Sequence, residues 1–122
     1  IVTTTPSTSP LLEKEMIAPG THITAMGSDT SEKCELSPEL INVADIVATD
    51  SIEQAVHRGE ISQALKVAKC NKDKIVELGT IIVDPLKGRV NEQQITVADL
   101  SGVAIQDIMI AKAITEILGK KS

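Results

Sequence analysis

The chain has 122 residues, 42% hydrophobic and 24% charged, which is the balance of one globular domain rather than of a disordered segment. Its 17 acidic against 12 basic residues leave a net charge of −5 and no basic patch, and it has no Phe, Tyr or Trp, which argues against a phosphate-backbone partner and removes the rings on which unpaired bases stack. No apolar run approaches the roughly 20 residues of a membrane-crossing helix, so neither nucleic acid nor membrane is an expected partner.

The first element expected is a strand at residues 1–5, a β-branched run. Because this run begins without Met or a polar lead-in, the natural chain is expected to extend ahead of it. Residues 11–17 predict a short helix closed by Pro19-Gly20, and residues 22–26 a second strand. Ser37 as cap and Pro38 at the first position predict a helix over 38–44, followed by a strand at 46–49. Ser51 and Gln54 match a capping box that opens a helix through Ala55. Gly59 breaks it, and Ile61, Leu65, Val67 and Ala68 continue the apolar face of a second helix. Residues 75–83 suit a strand or a buried helix equally, before a turn at Asp84-Pro85 and Lys87-Gly88-Arg89. A strand follows at 95–98, then a helix over 103–118 whose first half is expected to be buried, with Lys112, Glu116 and Lys120 as a later polar stripe.

Strands that alternate with helices predict an α/β fold with a mostly parallel sheet flanked by helices. In such sheets ligands sit beyond the carboxyl ends of the strands, where loop amides and helix N-termini converge. Three loops fall at such ends, at residues 3–6, 26–29 and 99–103. Asp29, just after Gly27-Ser28, is suited either to closing a turn or to moving a proton. Gly102-Val103 suits either a tight strand-to-helix turn or a close backbone approach to a ligand. The two histidines, His22 and His57, have no partner at metal-ligand spacing and read as structural or solvated. Cys34 and Cys70 lie far apart without a CxxC, so free thiols in a reducing, cytoplasmic setting are expected and no metal.

The runs Ala25-Met26-Gly27-Ser28-Asp29 with Lys33, and Asp99-Leu100-Ser101-Gly102-Val103 through Gln106-Asp107, resemble the ornithine cyclodeaminase and mu-crystallin family. Shorter matches in the same order extend the resemblance through Ile1-Val-Thr-Thr-Thr-Pro6, Pro19-Gly-Thr-His-Ile23, Asp50-Ser-Ile-Glu-Gln-Ala55 and Gly59-Glu-Ile-Ser62. The resemblance implies a truncated Rossmann-like fold that lacks the first strands and the GxGxxG, with residues 1–102 the second half of a dinucleotide-binding domain and 103–122 a C-terminal helix. It favours a helix within residues 71–90. It implies Asp29 as catalytic acid/base, and Thr4, Thr5, Pro6, Met26, Gly27, Ser28, Lys33 and Leu100 as contacts of NAD, with NADP the alternative. Ser101, Gly102 and Val103 would hold a small amino-acid or imine substrate. The implied activity of the intact protein, a homodimer, is conversion of L-ornithine to L-proline and ammonia by hydride transfer to and from NAD. The alternatives are an alanine dehydrogenase or ketimine reductase, or a non-catalytic NAD(P)-binding protein like mu-crystallin. The 122 residues alone are expected to be inactive.

Two departures from the family pattern bear on the site. Leu100 stands where many relatives carry a hydroxyl, and the loop Asp29-Thr-Ser-Glu32-Lys33 lacks the frequent Pro-Gly before its lysine. Neither Arg58 nor Arg89 matches the family's substrate-carboxylate arginine.

Overall fold

The computed structural model describes residues 1–67 and 70–119. Ala68 and Lys120, assigned above to helix faces, lie outside the described residues.

Strands β1 (Val2–Thr3), β2 (His22–Ala25), β3 (Ile46–Thr49), β4 (Ile75–Glu77) and β5 (Thr96–Asp99) form one wholly parallel sheet. Their spatial order is β1-β2-β5-β3-β4, so the last strand in sequence is the central one. All four β5 side chains are buried, the expected state of a central strand covered on both sides by neighbours. Parallel pairing needs long crossovers, and the chain supplies them as helical segments.

Helices α1 (Pro38–Val43) and α3 (Glu60–Lys66) cover one face of the sheet. Alternation along the strands sends Ile23, Ala25, Val47 and Val97 to that face, where they meet Leu40, Ile41, Ile61 and Ala64. Each branched aliphatic side chain fully withdrawn from water there contributes about 1.5–3 kcal/mol. Alanines at 25, 44, 55 and 64 allow close approach of backbones, so a core without rings still closes.

The entry into α1 follows the sequence closely, since Ser37 Oγ accepts from Leu40 N at 3.3 Å and Pro38 occupies the first turn. Helix α2 (Ile52–Ala55) keeps only half of its capping box. Ser51 Oγ accepts from Gln54 N at 3.4 Å, but the Gln54 amide turns away from the cap. Gly59 separates α2 from α3 at φ +85°, a conformation that a residue with Cβ rarely adopts.

Three expectations are corrected. Residues 11–17 form only a single 3-10 turn, Lys14–Met16. Leu12 instead bridges Leu36, and the amides of Leu11 and Leu12 both donate to Glu35 O. Residues 75–83 hold both a strand, β4, and a helix, α4 (Leu78–Val83), and the helix is not buried: Ile82 and Val83 are 74% and 86% exposed. As the edge strand, β4 pairs with β3 alone, which leaves that flank open. Finally, α5 (Ala104–Gly119) buries no side chain among the described residues, and Ile105, Ile108 and Met109 are each more than half exposed.

The second sheet face carries His22, Thr24, Thr96, Ile46 and Ala48 and is only partly covered. It forms a depression of about 400 Å³. His22 is a sheet-face residue there, with Nδ1 2.8 Å from Thr96 Oγ1 and Nε2 3.2 Å from Thr24 Oγ1. Burial, then the charge of Arg89, holds its imidazole below the ordinary value.

Candidate functional site

The sheet order sets the carboxyl ends of β1, β2, β5 and β3 side by side, and the pairing continues past the strands. Met26 N donates to Thr3 O at 2.9 Å and Leu100 N to Ala25 O at 3.0 Å. Residues 4–6, 26–29 and 100–103 therefore leave the same end of the sheet as neighbouring loops. Thr4, Pro6, Met26 and Asp29 are exposed, Thr5, Gly27 and Leu100 half-buried, and Ser28 buried.

The β2 loop is held from within and from α3. Ser28 Oγ donates to Lys33 O at 2.7 Å, which commits the hydroxyl proton within the loop. Gln63 Nε2 and Lys66 Nζ donate to Ser31 O at 2.8 and 2.9 Å, fastening the far side of the loop to α3. Lys33 Nζ lies 2.6 Å from Asp29 Oδ1. This bond holds the exposed Asp29 carboxyl below the usual range.

The β5 loop is fastened to β3 and α2. Gly102 N donates to Asp50 Oδ2 at 2.7 Å, while Gln54 Nε2 donates to Ser101 Oγ at 2.8 Å and to Gly102 O at 2.6 Å. Gly102 sits at φ +83° with open space where a Cβ would be, so its backbone is approachable from outside. The helix that follows opens beside it, its first turn closed by Gln106 N donating to Val103 O at 3.0 Å.

Beneath the loops lies a set of buried carboxylates, of which sequence reasoning had Asp99 only as the start of a strand-end loop and gave Glu35 and Glu60 no role. Glu35 is fully buried and accepts from Thr3 Oγ1 at 2.7 Å, Thr5 N at 2.5 Å and Gly27 N at 3.0 Å. Burial pushes its carboxyl up, but these donors outweigh it and hold it below the ordinary value. Glu60 accepts from Glu35 N and Leu36 N at 2.8 and 3.0 Å, and burial pushes it up. Asp99 Oδ2 accepts from Ile61 N at 2.8 Å, while Oδ1 has no hydrogen-bond partner among the described residues. Desolvation pushes Asp99 up to about 7. The signal available in the sequence was weak: Glu35 adjoins buried Leu36 with no alternation to mark it as inward, and Glu60 looks like an ordinary first-turn acid.

Met26, half exposed, leaves β2 between the strand ends that carry Thr4 and Thr5 on one side and the half-buried Leu100 on the other, so an apolar side chain and two threonines open the same edge of the sheet. Asp29 supplies a carboxylate and Gly102 an approachable backbone. These residues fit the nicotinamide end of a dinucleotide. They offer no Gly-rich turn for the pyrophosphate, since no GxGxxG occurs among the seven glycines. The 400 Å³ depression shares Leu100 with the loops but otherwise runs along the open sheet face toward the amino ends of the strands. The convergence of loops, not that larger hollow, is where the chemistry-bearing side chains gather.

A family model described as "Ornithine cyclodeaminase/mu-crystallin family" matches residues 1–122. Among curated relatives, the alanine dehydrogenase of Archaeoglobus fulgidus is 39% identical over 117 residues, 95% of this chain and 36% of that protein. Among solved structures, the iminosuccinate reductase of Paracoccus denitrificans in complex with NAD+ superposes with a TM-score of 0.90 at 39% identity, covering 99% of this chain and 37% of its own. The Thermococcus litoralis Delta(1)-pyrroline-2-carboxylate reductase in complex with NADH and L-proline superposes with a TM-score of 0.84 at 28% identity, covering 91% and 35%. The chain thus spans about a third of the length of the proteins it matches.

Proposed function

This chain belongs to the ornithine cyclodeaminase/mu-crystallin family, and from that premise we propose that it is the nicotinamide-side half of the dinucleotide domain in an NAD-dependent enzyme acting at the carbon–nitrogen bond of a small amino or imino acid. The observation that carries the proposal is the exposed Asp29 carboxylate at the end of β2, between a loop that suits a nicotinamide and a glycine turn open to a substrate.

The bound NAD would supply or accept the hydride. Met26 and Leu100 would shield the reacting face from water, and Thr4, Thr5, Pro6, Gly27 and the Ser28 backbone would line the same slot. Asp29, kept ionised by Lys33, would take the proton from the substrate amine as the carbon–nitrogen bond is oxidised, and return it to nitrogen in the reverse direction. Ser101, Gly102 and Val103 would line the substrate side of the site, Ser101 through its hydroxyl proton and Gly102 through its open Cα face, since its N–H is held by Asp50. Lys33, bonded to Asp29, would exchange that bond for a cofactor oxygen.

Two finer readings remain distinct in their chemistry. A dehydrogenase or imine reductase changes the NADH pool with each turnover. A cyclodeaminase converting ornithine to proline and ammonia borrows and returns the hydride, so ammonia appears with no net change in NADH. The likeness to the iminosuccinate reductase and alanine dehydrogenase favours the first. In both readings the complete protein acts as a homodimer in the cytoplasm.

The test uses the complete protein that carries this chain, following NADH absorbance with 2-oxo acids plus ammonium or with cyclic imines, and ammonia release from ornithine plus NAD. Turnover in one of these assays is expected, with Asp29→Asn losing about 100-fold or more in kcat while NAD affinity holds within a few-fold. NAD binding without turnover on any of them would replace the enzyme reading with a nucleotide-binding protein like mu-crystallin.

A further inference from the structure

Hydride and proton exchange at one carbon–nitrogen bond requires the cofactor slot and Asp29 to keep a fixed separation. One wall of the slot, Thr4 to Pro6, comes from the β1 end and Asp29 from the β2 end, and these two segments meet on a side chain that belongs to neither. That side chain is Glu35, with no exposed surface. One carboxylate oxygen accepts from Thr5 N at 2.5 Å; the other accepts from Thr3 Oγ1 at 2.7 Å and Gly27 N at 3.0 Å.

Glu35 is anchored in turn. Its N–H donates to Glu60 Oε1 at 2.8 Å, and its carbonyl accepts from Leu11 N at 2.7 Å and Leu12 N at 3.1 Å. The loops close tightly around it: a Cβ on Gly27 would lie 2.5 Å from Glu35 Oε1 and against Thr5 O. A group that accepts from three donors at the carboxyl ends of β1 and β2, while fixed at its own backbone, acts as a spacer between the loops that leave those strands.

We propose that Glu35 is a positioning residue of the site, its carboxylate setting the distance between residues 4–6 and residues 27–29 and so the place of Asp29 relative to the bound nicotinamide. The inference rests on the NAD reading above. The chemistry needs a carboxylate in particular, because three donors converge and only an all-acceptor group satisfies them. Glutamine at the same place keeps one acceptor oxygen, but its NH2 confronts a donor, either Thr5 N–H or the Thr3 and Gly27 pair.

The experiment measures NAD affinity and steady-state kinetics of the complete protein and of Glu35→Gln, Thr3→Val and Ile41→Val. Glu35→Gln is expected to weaken NAD binding about tenfold or more and to lower kcat, with the KM for the amino or imino acid changing less. Thr3→Val removes one donor and keeps the charge, so a loss of about threefold is expected in the same direction; it also serves if Glu35→Gln does not fold. Ile41→Val lowers the unfolding midpoint through the core without touching this network, and should leave affinity and kcat unchanged. Wild-type affinity and kcat in Glu35→Gln or Thr3→Val, beside a lowered midpoint like that of Ile41→Val, would overturn the proposal and make Glu35 a stabiliser only. If the unaltered protein binds no NAD, the functional reading fails and this inference with it, a result read before any variant is made.

Discussion

Asp29 and Lys33 are four residues apart in a loop tied to α3, so their side chains meet at 2.6 Å without the help of a helix. The consequence for pH follows from the direction of the shift. Bonding to Lys33 depresses the Asp29 carboxyl, so the group stays ionised further into acid than an ordinary aspartate. If Asp29 is the base for amine oxidation, removing the ammonium lets its pKa return upward, and the ionised fraction at any acidic pH falls. Lys33→Met, which keeps the aliphatic stem, is therefore expected to move the acid limb of the kcat profile for oxidation to higher pH while weakening NAD binding. A limb that stays where it was would mean that another group carries the titration. At this scale the sequence was partly legible. Asp29 and Lys33 stood out through the family resemblance, since the residues alone suited a turn or a surface lysine equally, whereas Glu35 is a charged residue drawn inward by donors at the ends of β1 and β2, which no local pattern displays.

The elements were legible where one face is buried and the ends are capped. β2, β3 and β5 fall within a residue of the runs expected for them, and α1 begins at Pro38 behind its Ser37 cap. Residues 75–83 defeated the pattern because an apolar run supports either period, and the chain uses both in turn. The junction between α2 and α3 was read as a break at Gly59, but its cause lies 40 positions on: a Cβ there would lie 2.7 Å from both Asp99 carboxylate oxygens. Asp99 closes the start of α3 through Ile61 N, at the cost of a buried carboxyl raised to about 7 by desolvation. Between the ordinary value of 3.8 and about 7 the unfolded chain has lost this proton and the folded chain retains it, so this group makes stability fall as pH rises through that window. The ceiling on its effect is about 4 kcal/mol at full ionisation. Glu60, also raised by burial, acts in the same direction. Asp99→Asn keeps an acceptor for Ile61 N and cannot ionise, so its unfolding midpoint should decline less than that of the wild type between about pH 5 and pH 8. Parallel curves for the two proteins would remove Asp99 from the account of pH stability.

At the scale of the molecule, the sheet and its helices divide into a closed face and an open one. The closed face holds the aliphatic core, and the β1 and β2 loops are braced against it through Glu35 and Glu60, while the β5 loop is tied to the end of β3 through Asp50. The open face and α5 carry apolar side chains that nothing in the described residues covers, including Ile108, Met109, Ile114 and Ile117, each more than half exposed. The apolar run of α5 was read from sequence as a buried first half because such a run marks a surface suited to burial; periodicity says nothing about whether the covering partner belongs to the same 122 residues. An isolated 16-residue helix is marginal in water, and α5 draws no stability from packing here. Shortening these 122 residues to end at Val103 should therefore leave the unfolding midpoint of the sheet and core unchanged to within about 2 °C, while reducing the binding of a dye that reports exposed apolar surface. A fall of about 5 °C or more would show that α5 folds back onto the sheet in solution, with the open face around Ile46 and Ala48 as the surface it would cover. An unchanged midpoint would locate the stability of this unit in the same face that braces the loops, so that the site is organised by the core and not by the helix that leaves it.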